Sequence, residues 1–146
     1  MHLTLDPEER WLYVANLQTG SVSVIPVLED GSLGKLHDLE FISGNGGPGY
    51  ISHPHQTMKD RSGRWLVVPS QGRLQGVGKL TVFAIDEEQG SLKETFIQKG
   101  RTGAEPRHCV FHPGNKYCYC VNEKDSTVAA YDFDEKTGKA GIKSAS

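Results

Sequence analysis

One short unit recurs three times along this 146-residue chain. Each copy follows Arg or Lys, begins with an aromatic residue and continues as a β-type run. The copies are Trp11-Leu-Tyr-Val-Ala-Asn16, Trp65-Leu-Val-Val-Pro-Ser70 and Tyr117-Cys-Tyr-Cys-Val-Asn122, and they begin 54 and 52 residues apart (65 − 11 and 117 − 65). A period of about 50 residues built from short β-type runs is typical of a propeller blade. The repeat therefore predicts an all-β protein made of similar sheets.

Turn residues between the β-type runs predict about three consecutive four-stranded antiparallel blades, the last one incomplete because its fourth strand is missing or vestigial. We expect a single partial propeller domain over residues 1–146, with blades at approximately 2–43, 54–99 and 107–146. So few blades cannot close a ring, and the chain is expected to be a piece of a longer protein. Its open blade faces predict self-association.

Alternation along the second strand of each blade predicts which side chains pack between sheets. We expect Leu12, Val14, Leu66 and Val68 there, together with Cys118 or Tyr119.

Composition excludes several classes of partner. The formal net charge is −2 and the Lys and Arg residues are scattered, which argues against nucleic acid. No apolar run approaches the ~18 residues of a membrane span. The three cysteines, Cys109, Cys118 and Cys120, are odd in number, which indicates a reducing compartment and a cytoplasmic location.

Alignment of the repeats places His55 and Arg107 at equivalent positions in neighbouring blades. Glu123 follows the second strand of the third blade, and in antiparallel strands that end lies beside the start of the first strand. We therefore expect the three side chains to converge at one rim within about 10 Å, around a small anionic substrate. The alternative is that each caps a turn or forms a structural ion pair.

Several motifs carry a resemblance that runs through nearly the whole chain. They are His53-Pro-His55-Gln, Gly103-Ala-Glu-Pro-Arg107-His108, Val110-Phe-His112-Pro-Gly114 and Val121-Asn-Glu123-Lys-Asp-Ser126-Thr-Val128. Together they resemble the motifs of the seven-bladed lactonase family, which includes bacterial propeller-type 6-phosphogluconolactonase and fungal carboxy-cis,cis-muconate cyclase. The resemblance implies a seven-bladed ring with His55, Arg107 and Glu123 as catalytic residues. Possible substrate-binding residues beside them are His53, His108 and Asn122.

The resemblance implies a lactonase-type hydrolase lineage acting on a small anionic sugar lactone such as 6-phosphogluconolactone. Glu123 or His55 would activate water, and Arg107 would bind the anion. Two alternatives stay open: a cycloisomerase of the carboxy-cis,cis-muconate cyclase type, and a catalytically inactive propeller fragment acting as an interaction module. No cofactor or metal is expected, and the chain alone is expected to give little or no turnover.

Two segments of the sequence are interpreted as loops. The family usually has Asp-Leu-Gly after the second strand of the blade that carries His55, whereas this chain has Ser70-Gln-Gly72 and then an insertion-like run, Arg73-Leu-Gln-Gly-Val-Gly78. The loop beside the predicted site is therefore altered. The glycine-rich run Gly44-Asn-Gly-Gly-Pro-Gly49 precedes no helical pattern and is interpreted as an inter-blade loop.

Overall fold

A computed structural model describes residues 1–44 and 49–146, and these contain three four-stranded antiparallel sheets that follow one another along the chain. Within each sheet, strands adjacent in sequence are adjacent in space, so the repeat and the sheet coincide. The strands are β1 (His2–Leu5), β2 (Trp11–Asn16), β3 (Ser21–Pro26) and β4 (Asp38–Phe41) in the first sheet, β5 (Met58–Lys59), β6 (Trp65–Ser70), β7 (Lys79–Asp86) and β8 (Ser91–Lys99) in the second, and β9 (Pro106–Phe111), β10 (Tyr117–Asn122), β11 (Thr127–Asp134) and β12 (Lys139–Ala145) in the third.

The second sheet is buried on both faces, because its strands alternate between two hydrophobic cores. Leu66 and Val68 of β6 face the first sheet, where they pack with Tyr13 and Val22. Val67 of β6 points the opposite way, into the core shared with the third sheet. That second core includes Leu80, Val82, Cys109, Phe111, Cys118, Cys120 and Tyr131.

The three sheets fan out from a common edge formed by their first strands. The Thr4 hydroxyl on β1 donates to the Thr57 carbonyl at 2.6 Å, just before β5. The His2 ring on β1 also lies 6.1 Å, between centroids, from the His108 ring on β9, although the second sheet separates these two strands in sequence. Contact between the first and third sheets at this edge is the geometry of blades around a propeller axis.

A tryptophan joins each sheet to the next one. The Trp11 indole N–H donates to the Glu87 carbonyl at 2.8 Å, in the turn between β7 and β8. The Trp65 indole N–H repeats this contact one sheet later, with the Glu135 carbonyl at 2.8 Å. These contacts explain the tryptophan that opens the first two copies of the sequence repeat.

Two sequence predictions are wrong in detail. The last blade is complete in this chain, because Lys139–Ala145 forms a fourth strand paired with β11. Leu12 and Val14 do not pack between sheets. They are half-buried on the outer face of the first sheet, and Tyr13 fills the inter-sheet core instead. The predictions for Leu66, Val68 and Cys118 are confirmed. Residues 45–48 of the glycine-rich run lie outside the described residues.

Gly90 tests the contact between the first and second sheets. Its φ is 64°, in the left-handed region, and a Cβ built there would lie 2.4 Å from the Trp11 ring. We expect Gly90→Ala to lower the free energy of unfolding by about 2 kcal/mol or more, since backbone strain and a steric clash act together. Urea unfolding monitored by Trp fluorescence would measure the loss.

The matched control is Gly31→Ala. Gly31 has a φ of 81° but no atom within 4 Å of the position of its Cβ, so this variant carries the backbone strain alone. Equal urea midpoints for the two variants would contradict the steric role of Gly90.

The outer faces of the first and third sheets expose apolar side chains. Phe41 is 65% exposed on the first and Val110 is 58% exposed on the third. A groove of about 370 Å³ lies on the first face, lined by Leu17, Leu39 and Phe41 among others. No helix in the described part of the chain is long and apolar enough to cross a membrane.

We expect these two faces to make the expressed chain associate in a concentration-dependent way, because apolar sheet surface is removed from water on association. Multi-angle light scattering should report masses above the monomer. The double variant Phe41→Ser, Val110→Ser should shift the chain toward monomer. Leu74→Ser should not, although Leu74 is 96% exposed, because Leu74 lies in a loop outside the sheets. A wild-type monomer at high concentration would contradict this prediction.

Candidate functional site

The three residues predicted to converge are close together at one rim of the second and third sheets. His55 lies in the segment before β5, Arg107 lies in β9, and Glu123 follows β10. Arg107 Nε donates to His55 Nε2 at 3.0 Å, and the same Nε lies 3.7 Å from Glu123 Oε2. The prediction that the three side chains lie within about 10 Å of one another is thus confirmed as geometry. Their catalytic roles stay a prediction.

A β-bulge sets the position of Arg107. Along the pairing of β9 with β10, Val121 pairs with His108 and Asn122 pairs with Pro106, so Arg107 has no partner residue on β10. An extra residue of this kind bends its strand and changes the direction of its side chain, and such bulges are frequent next to active sites. The bulge therefore places the guanidinium of the third sheet against an imidazole of the second.

His55 is held in its neutral form. Arginine has no hydrogen-bond acceptor, so the contact with Arg107 requires that His55 Nε2 accepts and that the ring proton sits on Nδ1. Burial first, and then the positive charges of Arg107 and His108, lower the pKa of His55 to about 4. His55 Nδ1 is buried and has no hydrogen-bond partner among residues 1–44 and 49–146. This donor thus faces no acceptor in the described part of the chain.

His108 is a second imidazole of this cluster. Its ring contacts the His55 ring edge to face, with centroids 4.8 Å apart. Burial and the neighbouring Arg107 charge lower the pKa of His108 as well. The structure therefore brings His108, a predicted substrate-binding residue, next to His55.

The other two predicted substrate-binding residues, His53 and Asn122, do not join the cluster in the way that His108 does. His53 is buried with a φ of 57°, and its carbonyl accepts the backbone N–H of Gln71 at 3.0 Å. Burial and the Arg73 charge lower the pKa of His53. The Asn122 amide donates to the Thr127 hydroxyl at 2.9 Å and lines a separate cavity of about 110 Å³. In these positions His53 borders the cluster, whereas Asn122 faces away from it.

Sequence reasoning missed Gln71 and Arg73. The Gln71 amide donates to Glu123 Oε2, and the Gln71 side-chain oxygen accepts from Arg73 Nε at 3.1 Å. Gln71 is 1% exposed, so this amide is fixed in position. Gln71 was already recognisable as the counterpart of Glu123 one repeat earlier (123 − 52), and that equivalence was the signal in the sequence.

Exposure argues against a purely structural role for the ion pair. The side chains of Arg107 and Glu123 are 42% and 44% exposed. Ion pairs this exposed contribute little to stability, with measured values of roughly 0–1 kcal/mol. Both charges are accessible to a ligand from solvent.

The cluster therefore combines a guanidinium, a carboxylate and a neutral imidazole on one accessible rim. A guanidinium binds carboxylate, phosphate or a developing oxyanion, and a carboxylate can accept a proton from water. This set suits the hydrolysis of an ester-like bond in an anionic substrate.

Two curated relatives of the chain carry the same name. A 6-phosphogluconolactonase of Erwinia tasmaniensis is 32% identical over 134 residues, which cover 90% of this chain and 37% of that protein. A 6-phosphogluconolactonase of Bacillus subtilis is 29% identical over 138 residues, covering 94% of this chain and 38% of that protein. The chain thus spans less than two fifths of the length of these relatives.

Solved structures also resemble the chain over almost its full length. A protein from Lactobacillus plantarum superposes with a TM-score of 0.86 at 28% identity, over 99% of this chain and 41% of that one. The periplasmic gluconolactonase of Pseudomonas aeruginosa gives 0.84 at 25% identity, again over 99% and 41%. A family model described as "Lactonase, 7-bladed beta-propeller" matches residues 1–143. The chain belongs to the seven-bladed β-propeller lactonase family.

Proposed function

We propose that the rim formed by His55, Arg107 and Glu123 is the hydrolytic site of a lactonase that opens a small anionic sugar lactone, of which 6-phosphogluconolactone is the leading candidate. The observation that carries the proposal is the hydrogen bond from Arg107 to His55, with Glu123 3.7 Å from the same nitrogen. Relatives named 6-phosphogluconolactonase support this choice of substrate.

Glu123 is the better candidate for the base that activates water. In the arrangement described, the basic nitrogen of His55 is occupied by the N–H of Arg107, and its other nitrogen carries a proton. Glu123 Oε2 accepts from Gln71, whereas Oε1 has no partner in the described part of the chain. Because the Glu123 side chain is 44% exposed, water can reach that free oxygen.

Arg107 binds negative charge on the substrate. His55 engages its Nε and so fixes the plane of the guanidinium, which leaves the Nη groups for an anion. His55 in this proposal is a positioning residue that acts through Arg107. A neutral imidazole suits this role, because an imidazolium would have no lone pair to accept the Arg107 N–H.

Lactone hydrolysis then proceeds in two steps, addition of water and opening of the ring. Glu123 takes a proton from water while the water oxygen bonds to the lactone carbonyl carbon, and the carbonyl oxygen becomes an oxyanion. The oxyanion then re-forms the carbonyl as the bond to the ring oxygen breaks, and Glu123 returns the proton to that oxygen. The product is the open-chain acid.

We also propose that the protein is cytoplasmic. Cys109, Cys118 and Cys120 are free thiols buried between the second and third sheets. Thiols that stay reduced fit a reducing compartment.

The roles assigned above predict activity changes in a full-length relative at the positions that match this chain. Glu123→Gln should lower the rate of 6-phosphogluconolactone hydrolysis by about 100-fold or more, because the amide cannot take the proton. Arg107→Lys should cost about tenfold or more, since it keeps the charge but removes the planar fork and the donor to His55. A coupled assay of 6-phosphogluconate formation would measure both.

Two controls make this test decisive. The urea midpoints of both variants should stay close to that of the unsubstituted protein, because the two side chains are exposed. Cyclisation of carboxy-cis,cis-muconate is assayed in parallel on the same preparations. Full hydrolysis by the Glu123→Gln variant, or cyclisation without hydrolysis, would contradict the proposal.

The low pKa of His55 predicts a pH dependence of stability. The folded chain disfavours the charged imidazole, with a pKa of about 4 against an ordinary 6.5, so the unfolded chain takes up the proton first as the pH falls. The contribution of His55 to the free energy of unfolding should be complete above about pH 6.5 and should decline down to about pH 4. NMR titration of the His55 Hε1 resonance and urea unfolding at pH 7 and pH 5 would measure it.

The control for this prediction is His55→Gln, which retains an acceptor for the Arg107 N–H but does not titrate. Its stability should fall less between pH 7 and pH 5 than that of the wild-type chain. The same loss in both proteins would show that His55 does not contribute.

A further inference from the structure

The loop between β6 and β7 differs from its counterparts in the other two sheets. It has eight residues (71–78), whereas the loops between second and third strands elsewhere have four (17–20 and 123–126). The additional residues form a 3₁₀ turn at Arg73–Gln75, and Gln75 Oε1 accepts the backbone N–H of Ile51 at 2.8 Å. The longer loop is thus attached to the segment that leads into His53 and His55.

The loop delivers a second arginine to the site. Arg73 Nε donates to Gln71 Oε1 at 3.1 Å, and the same Gln71 amide donates to Glu123. A single buried amide therefore fixes Arg73 relative to the proposed base. Arg73 itself has a φ of 52°, an uncommon conformation for a residue other than glycine. The surrounding loop holds the backbone in that conformation.

The guanidinium of Arg73 has unused donors. Arginine carries five N–H groups, and one is used by Gln71. For the four on Nη1 and Nη2, residues 1–44 and 49–146 provide no hydrogen-bond or ion-pair partner. These donors are available to a ligand.

A cavity of about 350 Å³ lies beside Arg73, between the longer loop and the segment that leads into β9. Its charged lining residues are Arg73, Glu105 and Lys124. Lys124 Nζ lies 3.6 Å from Glu105 Oε1, so these two charges compensate each other. The charge of Arg73 remains uncompensated, and the cavity favours an anion.

We propose that Arg73 binds the phosphate of a phosphorylated sugar lactone in this cavity, while Arg107 binds the negative charge that develops on the lactone carbonyl oxygen, on the other side of Glu123. The inference rests on the proposed function and adds the specificity of the site to it. In such a substrate the phosphate and the lactone carbonyl are separate groups that point away from each other on the two sides of the ring oxygen. Arg73 and Arg107 flank the Gln71–Glu123 pair and thus offer one cation for each group.

The test measures binding of two stable acids, 6-phosphogluconate and gluconate, by NMR titration of the full chain. Arg73→Gln should weaken 6-phosphogluconate binding by about tenfold or more, the effect of losing a charge-assisted hydrogen bond, and should leave gluconate binding unchanged. Arg73→Lys should give an intermediate loss, because it retains the charge without the fork. Arg61→Gln is the control, since Arg61 is an exposed arginine in the β5–β6 turn of the same sheet.

The outcomes separate this inference from the proposed function. Wild-type binding of both acids with equal affinity, together with an unaltered Arg73→Gln variant, would overturn the role of Arg73 and leave the proposed function intact. A wild-type chain that binds neither acid would overturn both. Equal losses in Arg73→Gln and Arg61→Gln would reduce the effect to overall charge and also overturn the inference.

Discussion

Contact between neighbouring sheets is the constraint on which the site depends. The indoles of Trp11 and Trp65 each donate to a turn carbonyl of the next sheet, and their rings leave no room for a side chain on Gly90 and Gly138. These contacts fix how far each sheet is displaced and rotated against its neighbour. A side chain on the rim of one sheet is therefore held at a defined distance from the rim of the next.

The site is built across that sheet boundary. The second sheet contributes His55 and Gln71, and the third contributes Arg107 and Glu123. The hydrogen bonds from Arg107 to His55 and from Gln71 to Glu123 both join the two sheets. The chemistry of the rim thus follows from packing in the core, where Val67, Val82 and Cys118 hold the two sheets together.

The sequence repeat predicted the strands that carry its own signal and missed those that do not. β2, β6 and β10 begin and end where the three repeated β-type runs do, whereas Lys139–Ala145 carries no such run and becomes a strand by pairing with β11. Alternation could not decide which face of β2 is buried, because Leu12 and Tyr13 are both apolar. Equivalence between repeats predicted the contact of His55 with Arg107, but the inserted loop breaks the period, so the position of Arg73 could not be read from it.

The buried N–H at His55 Nδ1 links this architecture to its stability. Leaving a donor without an acceptor in a buried position costs about 1–3 kcal/mol, and the described residues offer this one none. An oxygen atom of a bound ligand in that place would recover the cost. A ligand that brings an oxygen atom to His55 Nδ1 therefore gains affinity from a donor that the fold has already removed from bulk water, and ligand binding and fold stability are coupled at this ring.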